Sequence, residues 1–261
     1  MRAVTSNGTR EGKVAGAASA RKIIAALLCF TVEKPQWTVS ELSAELSVAL
    51  PTMYRYVALL RETGLLEPSG THAYRLSERV VGLAHAARKA GPDLAGVAMP
   101  VLESIRDSVN ETVLIAKRSG HHIYCVERVE SRQPVRLQFE RGQPMALHLG
   151  SMARVLLAGM PADERRRYLD ATLSGKPEDE RGLLSEVKLH EVASLGYTQS
   201  FEEVDEGIWG TAAAIQVDGK TAASIGVAAP LYRLDGQLRD RIITEVRAGA
   251  AEISRRLSNA C

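Results

Sequence analysis

The chain has 261 residues, 45% hydrophobic and 25% charged, which is ordinary for a globular protein and long enough for two domains that each bury a core. No apolar run approaches the roughly 18 residues of a membrane helix, and the leading MRAVTSNGTREGKVAGAASA lacks the apolar block of a secretory signal. The net charge of +2 hides an asymmetry: residues 1–90 carry 12 Lys and Arg against 7 Asp and Glu, and the remainder carry 21 against 24, so only the N-terminal part is biased toward phosphate.

Cys29, Cys125 and Cys261 are odd in number and far apart, which fits reduced thiols in a cytoplasm better than a disulfide framework. Residues 1–16 are expected to be a disordered tail. Ala20, Ile23, Ile24, Leu27, Leu28 and Thr31 then mark one face of an amphipathic helix from about Ser19 to Val32. Arg21 and Lys22 near its start are either phosphate contacts or a solvated helix end, and Pro35 closes the segment.

The stretch from Thr38 to Leu76 organises the N-terminal part. Thr38 followed by Glu41 is a capping box, and Leu42 and Leu46 recur at the spacing of one buried helical face. Ser47 to Leu50 breaks that period, and Pro51 suits the first turn of a second helix. There Met53, Tyr56, Val57 and Leu60 face inward, leaving Thr52, Tyr54, Arg55 and Arg61 outward. A hydroxyl, a phenol and guanidinium groups on such a face are what a major groove can use. Leu65-Leu66-Glu67 and Ala73-Tyr74-Arg75-Leu76 flank Pro68-Ser69-Gly70-Thr71-His72 as a short hairpin. Helix, turn, helix and hairpin make a winged helix-turn-helix; the alternative is a helical pair packed on a hairpin with its outward charges merely solvated.

This segment resembles the DNA-binding domain of the IclR family of bacterial transcriptional regulators. Thr38-Val39-Ser40-Glu41-Leu42 looks like that family's second helix opening, Pro51-Thr52-Met53-Tyr54-Arg55 like its recognition helix, and Gly64-Leu65-Leu66 with Tyr74-Arg75-Leu76 like its wing. Ala49-Leu50 departs from the pattern, since neither is a good N-cap. The resemblance implies duplex operator DNA as partner, with Thr38, Thr52, Tyr54, Arg55, Arg61, His72 and Arg75 as contact residues. Arg55 and Tyr54 would reach bases or phosphates, Thr52 phosphate, and His72 and Arg75 the minor groove. Domain bounds of 17–76 for the winged domain, 77–92 for a linker helix and 93–261 for an effector-binding domain follow.

From Ser77, Val80, Val81, Leu83, Ala84 and Ala87 form a helical pattern stopped by Gly91-Pro92, and a second helix is predicted from about Asp93 to Ser108. The resemblance implies that these helices support a homodimer, or a dimer of dimers. Thr112 to Ala116 and Ile123 to Val126 read as a hairpin around Ser119-Gly120, and Val135 to Phe139 alternates like a further strand. Helices are predicted at Ser151–Ala158, about Ala162–Ala171, Ser185–Leu195 (ended by Gly196) and about Leu238–Leu257. Strands are predicted at Tyr197–Glu202, Thr211–Val217 and Ala222–Ala228. This is an α+β domain, and the family's equivalent is a GAF-like fold that binds an effector.

On that fold three segments converge: Gly142 to Arg154, Glu203 to Ala213 and Ala223 to Pro230. They yield Ser151, Met152, Ala153, Glu203, Gly210, Gly226 and Ala228 as effector-binding candidates for a small carboxylate, with backbone amides near Ser151 supplying donors; the alternative is that these residues simply pack the domain. Where the family commonly has threonine or serine, alanine, glycine and lysine, this chain has Gly150-Ser151-Met152-Ala153-Arg154. Gly226 and Ala228 stand where some members place serines. Such a site is less polar, with a flexible thioether at Met152, and favours an apolar or aromatic acid over a small keto acid.

His121-His122 with Cys125 and Glu127 has the flavour of a metal or nucleophile site. Adjacent strand residues point to opposite faces, however, and no C-x-x-C, H-E-x-x-H, nucleophile elbow or phosphate loop occurs. Some IclR-like proteins hold a metal in the effector domain, for which Glu203 and His148 would be nearest. No metal, cofactor or catalytic role is assigned. The expectation is a cytoplasmic, ligand-responsive repressor or activator, against a hydrolase using His121, His122 and Cys125, or a protein-interaction module.

Overall fold

The computed structural model describes residues 16–89, 93–137 and 139–259, in two compact units that divide between Lys89 and Asp93. Residues 1–15 of the expected tail, the Gly91-Pro92 stop, Gln138 and Cys261 lie outside the described residues.

In the N-terminal unit, α1 (Ala18–Leu28), α2 (Val39–Glu45) and α3 (Leu50–Glu62) share a core of Ala26, Leu42, Met53, Val57 and Leu60, completed by Phe30, Trp37 and Leu66. Helix α1 stops earlier than its apolar spacing predicts. The chain turns instead, with the Lys34 amide donating to the Thr31 hydroxyl (3.1 Å) and the Trp37 indole N–H donating to the Cys29 carbonyl (2.9 Å). The capping box forms as its residue types predict. The Thr38 hydroxyl accepts from the Glu41 amide (3.2 Å), and the Glu41 carboxylate accepts from the Thr38 amide (2.8 Å). The Thr38 amide, then the Lys34 ammonium, hold the Glu41 carboxyl down at about 2.

Ser47 takes a left-handed φ of 49° between α2 and α3, and Ala49 supplies no side-chain cap to α3. The wing is β2 (Leu66–Ser69) and β3 (Ala73–Leu76), and the two-residue β1 (Trp37–Thr38), which periodicity did not mark, pairs with β3. Helix α4 (Glu78–Lys89) follows and buries none of its residues.

The C-terminal unit is a six-stranded antiparallel sheet with helices on both faces. In chain order come α5 (Leu94–Val109), β4 (Thr112–Ser119), β5 (His122–Val129), β6 (Pro144–Ala146), α6 (Gly150–Ala158), α7 (Ala162–Leu173), α8 (Glu178–Gly182), α9 (Glu186–Leu195), β7 (Tyr197–Phe201), β8 (Ile208–Val217), β9 (Lys220–Pro230) and α10 (Gly236–Ser258). The strand order is β6-β5-β4-β9-β8-β7. Side chains alternate across each strand, so Val113, Ile115, Ala213, Ile215, Ile225 and Val227 meet α5 and α10. Ala116, Ile123 and Ala212 face the other way and meet α6, α7 and α9.

Most predicted elements fall within a few residues of the observed ones. Val135 to Leu137 is not a strand: side chains reach its carbonyls, with the Thr112 hydroxyl donating to Leu137 (3.1 Å) and the Arg233 guanidinium to Val135 (2.6 Å). The edge strand is instead Pro144–Ala146, pairing with His122 to Tyr124.

Thr38→Ala should lower the stability of the N-terminal unit by about 1 kcal/mol, the usual cost of losing an N-cap hydroxyl, as read by urea unfolding of the full chain. Because the Glu41 value in the fold lies below the unfolded one, its stabilisation is complete above the ordinary glutamate range. It is lost as pH falls from there toward 2.

Candidate functional site

Inward anchoring of α3 by Met53, Val57 and Leu60 leaves Tyr54 and Arg55 on its open face, Tyr54 with 56% of its surface exposed. Arg55 has no ion-pair partner among the described residues. Thr52, expected outward, is half-buried at the first turn. Arg61 lies 5.7 Å over the Tyr74 ring of the wing, and Arg75 is ion-paired with Glu67 across the hairpin (2.8 Å). Exposed pairs of this kind hold their partners by under about 1 kcal/mol, so an approaching phosphate can compete for Arg75. His72 is exposed at the hairpin tip, whereas the Thr38 hydroxyl is engaged in its helix cap. The unit therefore gathers Tyr54, Arg55 and Arg61 on one helix, with His72 and Arg75 on the adjoining wing.

In the C-terminal unit the three predicted segments meet where the start of α6 lies on the sheet. A Cβ at Gly226 would stand 2.7 Å from the Thr211 carbonyl oxygen and 3.0 Å from Met152 Cγ. A Cβ at Gly210 would stand 3.1 Å from Ser151 Oγ and 3.0 Å from Ser200 Oγ. Ser151 thus sits over β8 and Met152 over β9, and Ala228 is the register partner of Gly210. Ala153 is offered for its backbone amide. Its side chain is fully buried among α6, α7 and α9, so only its backbone is available.

Glu203, in the turn between β7 and β8, comes back onto the same helix. One carboxylate oxygen accepts from the Gly150 amide (3.2 Å) and the other pairs with the Arg154 guanidinium. Gly150 has φ of +85°, and a Cβ there would meet Val204 at 3.0 Å, so the turn and the helix start fit only with glycine. Arg154 is 93% buried by its 7% exposure, and reading the sequence did not select it. Its lysine-to-arginine departure was visible, but its partner lies across a turn that periodicity cannot close.

A cavity of about 250 Å³ opens at the far end of α6, lined by Val155, Gly159, Val192, Ala214, Gln216 and Lys220 among others. None of the seven candidates lines it. Met152 fills the space over Gly226 at the near end, so a ligand seated there moves that thioether, which three rotatable bonds allow.

The hydrolase candidates are not brought together. Cys125 shares its strand face with Ile123 in the interior, while His122 turns the other way beside Tyr124, ring centroids 6.3 Å apart. Burial pushes the Cys125 thiol up to about 11, opposite to what a nucleophile requires. His121 approaches the Tyr168 ring (5.3 Å), and His148 Nδ1 lies 3.0 Å from the Tyr168 hydroxyl. Among the described residues no group of three His, Cys, Asp or Glu side chains is placed to hold a metal.

Gly226→Ala should destabilise the C-terminal unit by about 1–3 kcal/mol, the usual cost of overpacking, because the new methyl meets backbone as well as Met152. Chemical denaturation of the full chain measures it.

Comparison with known proteins places both units. The family model described as the bacterial transcriptional regulator IclR C-terminal matches residues 88–255, and that of the IclR helix-turn-helix domain matches residues 19–70. The chain is 30% identical over 239 residues to the HTH-type transcriptional regulator KipR of Bacillus subtilis (strain 168), covering 89% of this chain and 94% of that one. Among solved structures, an IclR transcriptional regulator from Alicyclobacillus acidocaldarius superposes at a TM-score of 0.75 with 20% identity, covering 92% of this chain and 98% of its own. An IclR homolog from Microbacterium hydrocarbonoxydans, complexed with 4-hydroxybenzoate, does so at 0.73 with 21% identity, covering 94% and 100%.

Proposed function

Because this chain belongs to the IclR family of bacterial transcriptional regulators, with a DNA-binding helix-turn-helix and an effector-binding C-terminal domain, we propose that it binds its operator through α3 and the wing and that a small apolar or aromatic acid modulates that binding. The observation that carries the DNA half is the open face of α3, where Tyr54 and Arg55, which has no ion-pair partner among the described residues, stand beside the wing that carries His72 and Arg75. Arg55 and Tyr54 read bases or phosphates, Thr52 steadies the helix start on phosphate, and His72 and Arg75 lean on the minor groove. Arg61 steers from its stack on Tyr74, and Thr38 acts through the helix it caps. No catalysis belongs to this reading, and the bacterial cytoplasm is where it operates.

A homodimer supplies the second reader, with recognition helices in major grooves about 34 Å apart or a multiple of it. Supporting it, Val81 and Leu83 of α4 and Ile24 and Leu28 of α1 are each more than half exposed within one chain, and apolar faces of that kind seek a partner. Effector binding then biases two arrangements of the readers. The acid sits against Ser151, Met152, the Ala153 backbone, Gly210, Gly226 and Ala228, and its carboxylate enters the charged end that Glu203 lines when no acid is bound. Gly226 and Ala228 give that floor no hydroxyl, which favours an apolar body over a keto acid. The ligand bound by the Microbacterium protein supplies the first probe to try.

DNA fragments retained by the protein from its own genome provide the operator. On that operator Arg55→Ala should weaken binding about 5- to 150-fold, the loss of roughly 1–3 kcal/mol expected of an arginine paired with guanine. A gel-shift affinity equal to wild type would remove Arg55 from the interface. Calorimetric titration should give binding of 4-hydroxybenzoate or benzoate at least tenfold tighter than of glyoxylate or pyruvate; the reverse order would overturn the aromatic-acid reading.

A further inference from the structure

We propose that Glu203 is a tethered stand-in for the effector's carboxylate, holding the start of α6 and Arg154 until an incoming acid displaces it. The inference rests on the acid-effector reading above and names the group that anchors the acid, Arg154.

Helix α6 has no side-chain cap of its own, since Leu149 at its N-cap contributes none. Its first amides lack intrahelical acceptors, and the helix dipole favours an anion there. Glu203 supplies that anion from another element: one oxygen takes the Gly150 amide (3.2 Å) and the other the Arg154 guanidinium, one helical turn further on. The protein itself therefore shows that a carboxylate fits between these donors.

A second observation says that the fit is incomplete. Arg154 keeps only 7% of its surface exposed, and its Nε has no hydrogen-bond acceptor. Arg233, elsewhere in this unit, also leaves its Nε without an acceptor among the described residues, but it spreads its other donors over the Glu111 carboxylate (2.9 Å) and the Val135 carbonyl (2.6 Å). Arg154 reaches one carboxylate only. A guanidinium can present a fork to both oxygens of a free carboxylate, and a ligand not tied to a turn can adopt that geometry where Glu203 does not.

The tether also explains how occupancy would leave the site. Glu203 sits between β7 and the start of β8, next to Val204, which packs on Gly150. Expelling its carboxylate frees the turn that leads into Trp209 and Gly210. Until then, the fraction of molecules with Glu203 released limits the apparent affinity for any acid.

The test uses the full chain with acetate and benzoate as probes, sodium chloride matching ionic strength. Glu203→Ala and Glu203→Gln should each bind benzoate about tenfold tighter than wild type by calorimetry, as expected if the tethered carboxylate holds the site nine times in ten. Acetate should raise the melting temperature of Glu203→Ala saturably and that of wild type only at about tenfold higher concentration, and adding Arg154→Met should abolish both effects. Glu203→Gln, which keeps a carbonyl for the Gly150 amide, preserves the affinity comparison where the alanine variant fails to fold. Wild type that binds benzoate as tightly as Glu203→Gln or tighter would overturn the exchange while leaving the acid reading in place. Acetate stabilisation of Glu203→Ala with no benzoate binding to any variant would support the carboxylate site and overturn the aromatic class. No saturable response to either acid in any variant would overturn both.

Discussion

How closely α6 lies on the sheet decides most of what the C-terminal unit can do. Gly210 and Gly226, on adjacent strands and on the same face, let Ser151 and Met152 come within contact of the strand backbone. Bulkier residues there would lift the helix start and with it the amides that face the β7–β8 turn. Because the sheet gives way by having no side chain, backbone, the Met152 thioether and the Ser151 and Ser200 hydroxyls meet there. The other face, packed by α5 and α10 around Ile105, Ile225, Val246 and Ile253, is aliphatic and fixes the strands against which the glycines work.

The N-terminal unit divides its cations by what already holds them. Arg75 and Arg61 have partners on the wing, and Lys34 has both the Glu41 carboxylate (2.9 Å) and the Trp37 ring, 3.4 Å from its centroid. Arg55 has none among the described residues. A guanidinium that need not break an ion pair retains its full interaction with an incoming acceptor, whereas the paired ones give back what they lose. Charge count alone treated these residues as equals; the contacts rank them.

The parts that were legible in sequence are those dictated within a few residues. The Thr38–Glu41 cap, the Pro51 start, the Gly196 stop (φ 74°) and the α10 face of Ile242, Val246 and Ile253 each need only neighbours one or two turns away. Val135 to Leu137 misled because alternation reports which way side chains point and not whether carbonyls have strand partners; Thr112 and Arg233, distant in sequence, took them. The short β1 and β6 escaped because two or three residues carry no period. Among site residues, Ser151, Met152, Gly210 and Gly226 were reachable through resemblance and do lie together, while the helical period turns the Ala153 side chain inward and leaves the backbone amide for which it was named. Arg154 went unselected since its importance depends on Glu203, nearly fifty positions away.

A buried ion pair is a poor explanation of stability, since removing two charges from water costs about as much as their attraction returns, and apolar replacements are often as stable. The arginine at position 154 stands in a helix whose neighbours Val155, Leu156 and Leu157 are all buried aliphatics, where a leucine would pack at no desolvation cost. Glu203 satisfies the folded protein, but its reach is set by a turn anchored on both sides by paired strands, and it leaves Nε unmet. The pair therefore joins the β7–β8 turn to the start of α6 without by itself accounting for the stability of the unit.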